Sequence, residues 1–273
     1  MLTADHAGWG FTASTGLAFT EARIVDAHFD ACRDAYRYLL GQAGIRSGWQ
    51  VLDAGCGGGD FLPWLAGLVG PAGRVTAVDL ASENVARALR CGVAEVQQGD
   101  LRCLPYADDS FDAVWCANTV QYLDDDELAV ALAELRRVVR PGGLVAVKEL
   151  DATLVTARPA APHLFADFFR AAGAVSGYAR QLVRSRDLYT YLKRTGLADV
   201  RQQTVLIEHF APLPARAMDF YGQSCARLAA QALELGLDAA WRRFADPGAP
   251  DHPLRQPDGY VSEGGVLAVG RVR

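Results

Sequence analysis

The chain is predicted to be an α/β protein, a mostly parallel sheet of seven strands with helices on both faces. Three observations carry that prediction. Apolar runs near 51–56, 74–79, 93–97, 111–117 and 143–150 alternate with helical stretches near 60–69, 82–90 and 126–139. The first run breaks into Gly55, Gly57, Gly58 and Gly59, and Phe61, Leu62, Trp64, Leu65 and Leu68 follow at once with helical spacing. Two later runs, 198–209 and 265–271, supply the sixth and seventh strands.

Taken in order, residues 1–19 are rich in glycine, threonine and alanine, with Trp9 and Phe11 as bulky rings. A helix starts at Thr20 or Glu21 and runs to about Leu40, closed by Gly41; Ile24, His28, Ala31, Ala35, Tyr38 and Leu39 share one face. Asp124 and Glu127 have capping-box spacing, so the acid run Asp124-Asp125-Asp126-Glu127 reads as a helix start. After Leu150 the rhythm breaks. Residues 151–184 hold two prolines, the aromatics Phe165, Phe168 and Phe169, and Tyr178. A helix from Ser185 to Thr195 stops at Gly196, and Arg216 to Leu235 is again helical before Pro247, Pro250, Pro253 and Pro257 mark loop. The expected organisation is a single domain over 1–273. It comprises an N-terminal cover (1–48), a ligand-binding core (49–150), cap insertions (151–184 and 211–259) and segments completing the sheet (185–210 and 260–273).

Composition narrows the function. Of 273 residues 51% are hydrophobic and 22% charged, ordinary for a globular enzyme, and the net charge of -5 comes without a basic stripe. A nucleic-acid partner is therefore not expected. The six cysteines, at 32, 56, 91, 103, 116 and 225, form no Cys-x-x-Cys pair, so neither a metal site nor a disulfide framework is expected. Residues 1–10 lack the features of a signal peptide, and no apolar run approaches the ~20 residues of a membrane span. The expected location is cytoplasmic, with no membrane partner. The oligomeric state stays open, a homodimer included.

The glycine turn points to a bound small molecule. Backbone lies close to a ligand only where no Cβ intervenes, and the new helix aims free N–H groups at the same place. A dinucleotide fingerprint fits Gly55 and Gly57 but meets Asp60 where its third glycine belongs. The second strand, Arg74 to Leu80, carries Asp79, 20 positions after Gly59, where a carboxylate can accept from a ribose diol. Gln98-Gly99-Asp100-Leu101 follows the third strand, Ser110 to Asn118 forms the fourth, and Arg140-Pro141-Gly142-Gly143 leads into the fifth. Val51-Leu52-Asp53-Ala54-Gly55-Cys56-Gly57-Gly58-Gly59 resembles motif I of the class I S-adenosylmethionine-dependent methyltransferases, and the later segments resemble that family's motifs in family order.

The resemblance implies a Rossmann-like sheet whose last strand is antiparallel, and S-adenosylmethionine as cofactor. It implies cofactor contacts from Asp53, Ala54, Gly55, Cys56, Gly57, Asp79, Leu80, Asp100, Leu101 and Asn118, with Asp100 accepting from the adenine amino group and Leu101 packing on the ring. The implied reaction is methyl transfer to a small-molecule acceptor enclosed by the cap, as in bacterial secondary metabolism or quinone pathways. A protonated acceptor needs a base; the candidates are Tyr122, Glu149 and His28, with Asp151, His163 and His209 behind them. Plainer roles compete. Asp79 can cap the helix near Ser82, Asp100 can be a turn residue, His28 can be packed, and the aromatics can simply fill the cap. Two other functions share the motifs: a cyclisation or decarboxylation with the cofactor bound, and a non-catalytic cofactor-binding partner module.

Overall fold

A computed structural model describes residues 21–175 and 177–273; residues 1–20 of the expected N-terminal cover (1–48), with Trp9 and Phe11, lie outside them. The strands are β1 (Gln50–Ala54), β2 (Arg74–Asp79), β3 (Glu95–Gln98), β4 (Phe111–Ala117), β5 (Val139–Arg158), β6 (Ala198–Phe210) and β7 (Tyr260–Arg271). The helices are α1 (Ala22–Gln42), α2 (Leu62–Val69), α3 (Ser82–Ala88), α4 (Asp125–Arg137), α5 (Leu164–Ala172), α6 (Tyr178–Arg184), α7 (Leu188–Arg194) and α8 (Ala215–Glu234). The strands form one seven-stranded sheet in the order β3-β2-β1-β4-β5-β7-β6.

Strands β1 to β5 are parallel, with Val51 facing Val75 on one side and Ala113 on the other. All seven residues of β4 are buried, as a central strand covered on both faces requires. β7 runs antiparallel. Gly142 N donates to Val272 O while Val272 N donates to Gly143 O, and further along Ser262 Oγ donates to Leu154 O. The strand order reverses between β1 and β4, so a crevice at their carboxyl ends is where such sheets take ligands.

Several boundaries differ from expectation, β7 among them, which begins at Tyr260 where 265 was expected. The fifth strand was expected over 143–150, yet β5 continues to Arg158, because Thr153, Val155 and Thr156 suit a pleated surface and β7 starts early enough to pair with them. The Arg140-Pro141-Gly142-Gly143 turn is absorbed into β5 as an irregularity, where Val139 to Leu144 oppose Phe111 to Ala113. The helix expected from Ser185 to Thr195 begins with a 3₁₀ turn, Ser185–Asp187, ahead of α7. The Asp124–Glu127 capping box is present in full at the start of α4.

Contacts divide the chain into two compact units. One comprises Tyr36–Leu150, Arg184–Thr204 and Gly265–Arg273, and its core gathers Leu52, Val78, Val114, Leu132, Val147 and Val266. The other comprises Met1–Ala35 (described from residue 21), Asp151–Val183 and Val205–Gly264. Here Phe165 and Phe168 pack on Trp241 with ring centroids 4.8 and 5.6 Å apart, and Phe244 joins them. The expected cap aromatics Phe165, Phe168 and Phe169 are therefore buried packing residues of that unit. Among the described residues, no helix is long and apolar enough to cross a membrane.

Candidate functional site

The glycine turn lies at the carboxyl end of β1, and Gly55 N and Cys56 N donate to Val78 O in β2. Each glycine has its own reason. A Cβ on Gly55 would stand 2.3 Å from Thr119 Cγ2, and one on Gly59 would crowd Ala88, Leu62 and Cys91. A Cβ on Gly57 would meet nothing within 4 Å. Gly57 also holds a φ of +53°, so both conformation and open space mark it as the turn's exposed face.

Around that face the charge is acidic. Asp53 is 1% exposed, and its Oδ2 is a buried atom with no hydrogen-bond partner among the described residues. Burial, then the charges of Asp79 and Asp60, push its carboxyl from the ordinary 3.8 up to about 8. Burial, then the charges of Asp53 and Asp79, also push the Cys56 thiol well above the usual range. Asp79 accepts from Gly57 N at 2.8 Å, Ala81 N at 2.9 Å and Asn84 Nδ2 at 3.0 Å. Three of the about four lone-pair sites of a carboxylate are thus in use, leaving room for one more donor. The residue holds the loop and caps the entry to α3 at once.

Asp100 is adjacent: Gly99 N donates to Asp79 O at 3.0 Å, and Gln98 is the register partner of Asp79. Its carboxylate is gripped by Arg102, whose backbone N, Nε and Nη2 donate to it at 2.8, 3.0 and 2.6 Å. Those hydrogen bonds hold Asp100 below the usual carboxylate range. Arg102 also pairs with Glu127 of the α4 capping box. Leu101 and Ala54 are buried, while Leu80 is exposed.

At the ends of β4 and β5 a second set converges. Asn118 adopts a φ of +52°, a conformation asparagine tolerates better than most residues. Its Oδ1 accepts from Lys148 Nζ at 2.6 Å, and its Nδ2 donates to Tyr36 Oη at 3.4 Å. Lys148 is fully buried, with Nζ 3.5 Å from the centroid of the Tyr36 ring. The adjacent Glu149 is fully buried too, and its Oε1 accepts from Thr119 N and Val120 N, both at 2.8 Å. Burial pushes its carboxyl to about 7, against those backbone donors and the Lys148 charge. Tyr122 ends the 3₁₀ turn Val120–Tyr122 that Glu149 holds.

The sequence-predicted site residues from Asp53 to Glu149 all belong to the first unit described, and Asp53, Gly57, Asp79 and Asp100 are linked by direct contacts or charge coupling. His28 belongs to the other unit, stacked on Phe220 at 4.0 Å with Nε2 2.9 Å from Glu263 Oε1. There Asp151 accepts from Thr153 N and Oγ1, and His163 precedes α5 without a side-chain cap bond. Sequence reasoning missed Arg102 and Lys148. The Lys148-Glu149 pair closing an apolar run was a usable signal, since two ionisable residues rarely end a buried strand without a task.

Residues 51–143 match the family described as a methyltransferase domain. Malonyl-[acyl-carrier protein] O-methyltransferase of Erwinia billingiae is 42% identical over 116 residues, which are 42% of this chain and 44% of that one. Demethylmenaquinone methyltransferase of Staphylococcus aureus is 32% identical over 165 residues, 58% of this chain and 64% of that one. The matched stretch thus spans about half the length of these curated relatives. Among solved structures, the [4+2]-cyclase SpnF shares the fold with a TM-score of 0.50 and 23% identity, over 87% of this chain and 81% of that one.

Proposed function

We propose that the chain, whose residues 51–143 match a methyltransferase domain, is a class I S-adenosylmethionine-dependent enzyme that transfers a methyl group from S-adenosylmethionine to a small-molecule acceptor. One observation supports this most strongly. The turn offers an open backbone face at Gly57, beside a buried acid with an unused oxygen and a second acid with one lone pair to spare. Acidic and glycine-floored, that face suits a positively charged nucleoside.

In this reading Ala54, Gly55, Cys56 and Gly57 carry the cofactor along their backbone, and Asp79 accepts from a ribose hydroxyl with its remaining lone pair. Asp53, its carboxyl raised to about 8, sits under the loop with one oxygen unused. Asp100 and Leu101 hold the adenine, with Arg102 fixing the carboxylate, and Leu80 borders the same nucleoside. S-adenosylmethionine supplies a methyl group already activated by its sulfonium charge, so the protein's part is alignment and exclusion of water. Asn118, held between Lys148 and Tyr36, sets the wall where β4 ends. Glu149 acts by fixing the 119–121 backbone, which leaves Tyr122 on that turn as the residue to meet an acceptor proton. The curated relatives, named for malonyl-[acyl-carrier protein] and for demethylmenaquinone, support a small acceptor group.

The test is to incubate the purified chain with S-adenosylmethionine bearing a labelled methyl group and a panel of phenols, quinols, amines and carboxylic acids. Labelled product with an equal amount of S-adenosylhomocysteine is expected. Product without S-adenosylhomocysteine would instead mean a non-methylating reaction on the same pocket. No calorimetric affinity for either cofactor form would end the reading altogether.

A further inference from the structure

A second set of side chains sits in the unit that holds His28. His28 and Cys32 are four residues apart on α1, so both project from one face of the helix. Glu263, from β7, meets them: its Oε1 lies 2.9 Å from His28 Nε2 and 3.3 Å from Cys32 Sγ. The imidazole nitrogen, the thiol sulfur and the carboxylate oxygen all lie within 4.8 Å of one another. Cys32 and Glu263 are 1% and 2% exposed, and His28 is partly covered by the Phe220 ring stacked on it.

From this geometry we infer that His28, Cys32 and Glu263 form a binding site for one divalent cation of the zinc type. Nitrogen, sulfur and oxygen donors together suit that borderline-soft ion, whose bonds of about 2.0–2.3 Å need only small outward shifts from the present spacing. Charge favours it as well. A divalent cation with one thiolate, one carboxylate and a neutral imidazole sums to zero, which a buried site tolerates best. The proton leaving Cys32 on binding goes to solvent.

Two neighbours complete the surroundings. Tyr221 Oη stands 3.5 Å from Cys32 Sγ, close enough to take or border the fourth position. The His209 ring is 5.4 Å from the Tyr221 ring, and His209 Nε2 is buried with no hydrogen-bond partner among the described residues. The His209 ring is also hydrogen-bonded to the backbone of Ala31. A histidine anchored at one nitrogen with the other unused is how metal-ligating imidazoles are held. This departs from the sequence expectation of no metal site, which considered only cysteine-to-cysteine spacing. Three ligands from a helix and a distant strand leave no such signature. The site stands independently of methyl transfer.

The experiment is titration of the chelator-treated full chain with cobalt(II) alone, followed by absorption, with zinc(II) in competition. One equivalent is expected to bind with a thiolate-to-cobalt charge-transfer band, and zinc to abolish it. Cys32→Ser should lose the band and Glu263→Gln should weaken binding by more than the roughly 10–100-fold that outer-shell changes cost. Cys103→Ser, at an exposed cysteine elsewhere, should keep the band. If Cys32→Ser fails to fold, zinc must slow alkylation of Cys32 in the unaltered chain. No saturable binding, a band that survives Cys32→Ser, or alkylation indifferent to zinc would overturn the assignment.

Discussion

Gly55 and Gly57 stand two residues apart and do different things. Alanine at either position adopts a left-handed conformation at a cost of roughly 1–2 kcal/mol. Gly57→Ala adds no clash, so it is expected to keep most of its stability in denaturant titration while losing calorimetric affinity for S-adenosylhomocysteine. Gly55→Ala drives a methyl into Thr119 and is expected to lose substantially more stability. A Gly57→Ala protein that binds as well as its parent would remove the turn from the cofactor site. Asp53 makes a second residue-scale case. Its folded carboxyl, near 8 against 3.8 unfolded, binds its proton more tightly in the native state, so its contribution is full below pH 3.8 and declines as pH rises through 8. Glu149, raised from 4.5 to about 7, declines in the same direction and is spent by that pH. His209 and His252, lowered by burial, oppose both below 6.5. Between pH 7 and 8 the remaining loss belongs to Asp53, so Asp53→Asn should flatten the thermal midpoint there. An unchanged slope would show that Asp53 titrates normally.

The elements show where reading a sequence works and where it stops. Strands β1, β2 and β4 and the start of α4 were legible because each is written locally, in an apolar run, a glycine break or a capping box. β5 was not, because its last eight residues are strand only by virtue of β7 alongside, a pairing over a hundred residues away. Arg102 was invisible for a related reason: nothing in its own neighbourhood says that it grips Asp100 and reaches Glu127. Arg184 is another such residue. At the end of α6 it donates to Val120 O and Leu123 O at 3.1 and 2.7 Å and pairs with Asp125 at 2.7 Å, with a side chain only 9% exposed. It bonds carbonyls of the turn that carries Tyr122, while Glu149 bonds that turn's N–H groups. Arg184→Ala is expected to cost about 1–3 kcal/mol in denaturant titration. The same variant should raise the KM for acceptor more than that for the cofactor. Wild-type stability would mean those carbonyls are equally well served by water.

At the scale of the molecule, the residues proposed to hold the cofactor lie in one of two compact units, while His28, Cys32 and Glu263 lie in the other. Hydrogen exchange followed peptide by peptide can separate them. S-adenosylhomocysteine is expected to protect 53–60, 79–81 and 99–103, and zinc to protect 26–34 and 260–265. A nucleoside that protected neither the glycine turn nor the end of β2 would relocate the site. The acids around the turn also bear on turnover. A donor that has given up its methyl group has lost its sulfonium charge, and Asp53, Asp60 and Asp79 remain as they were. If the proposed site holds the cofactor, the pocket is expected to grip the spent nucleoside less firmly than the fresh one, so that the crowding of acids at the empty loop becomes a bias toward emptying it after each cycle.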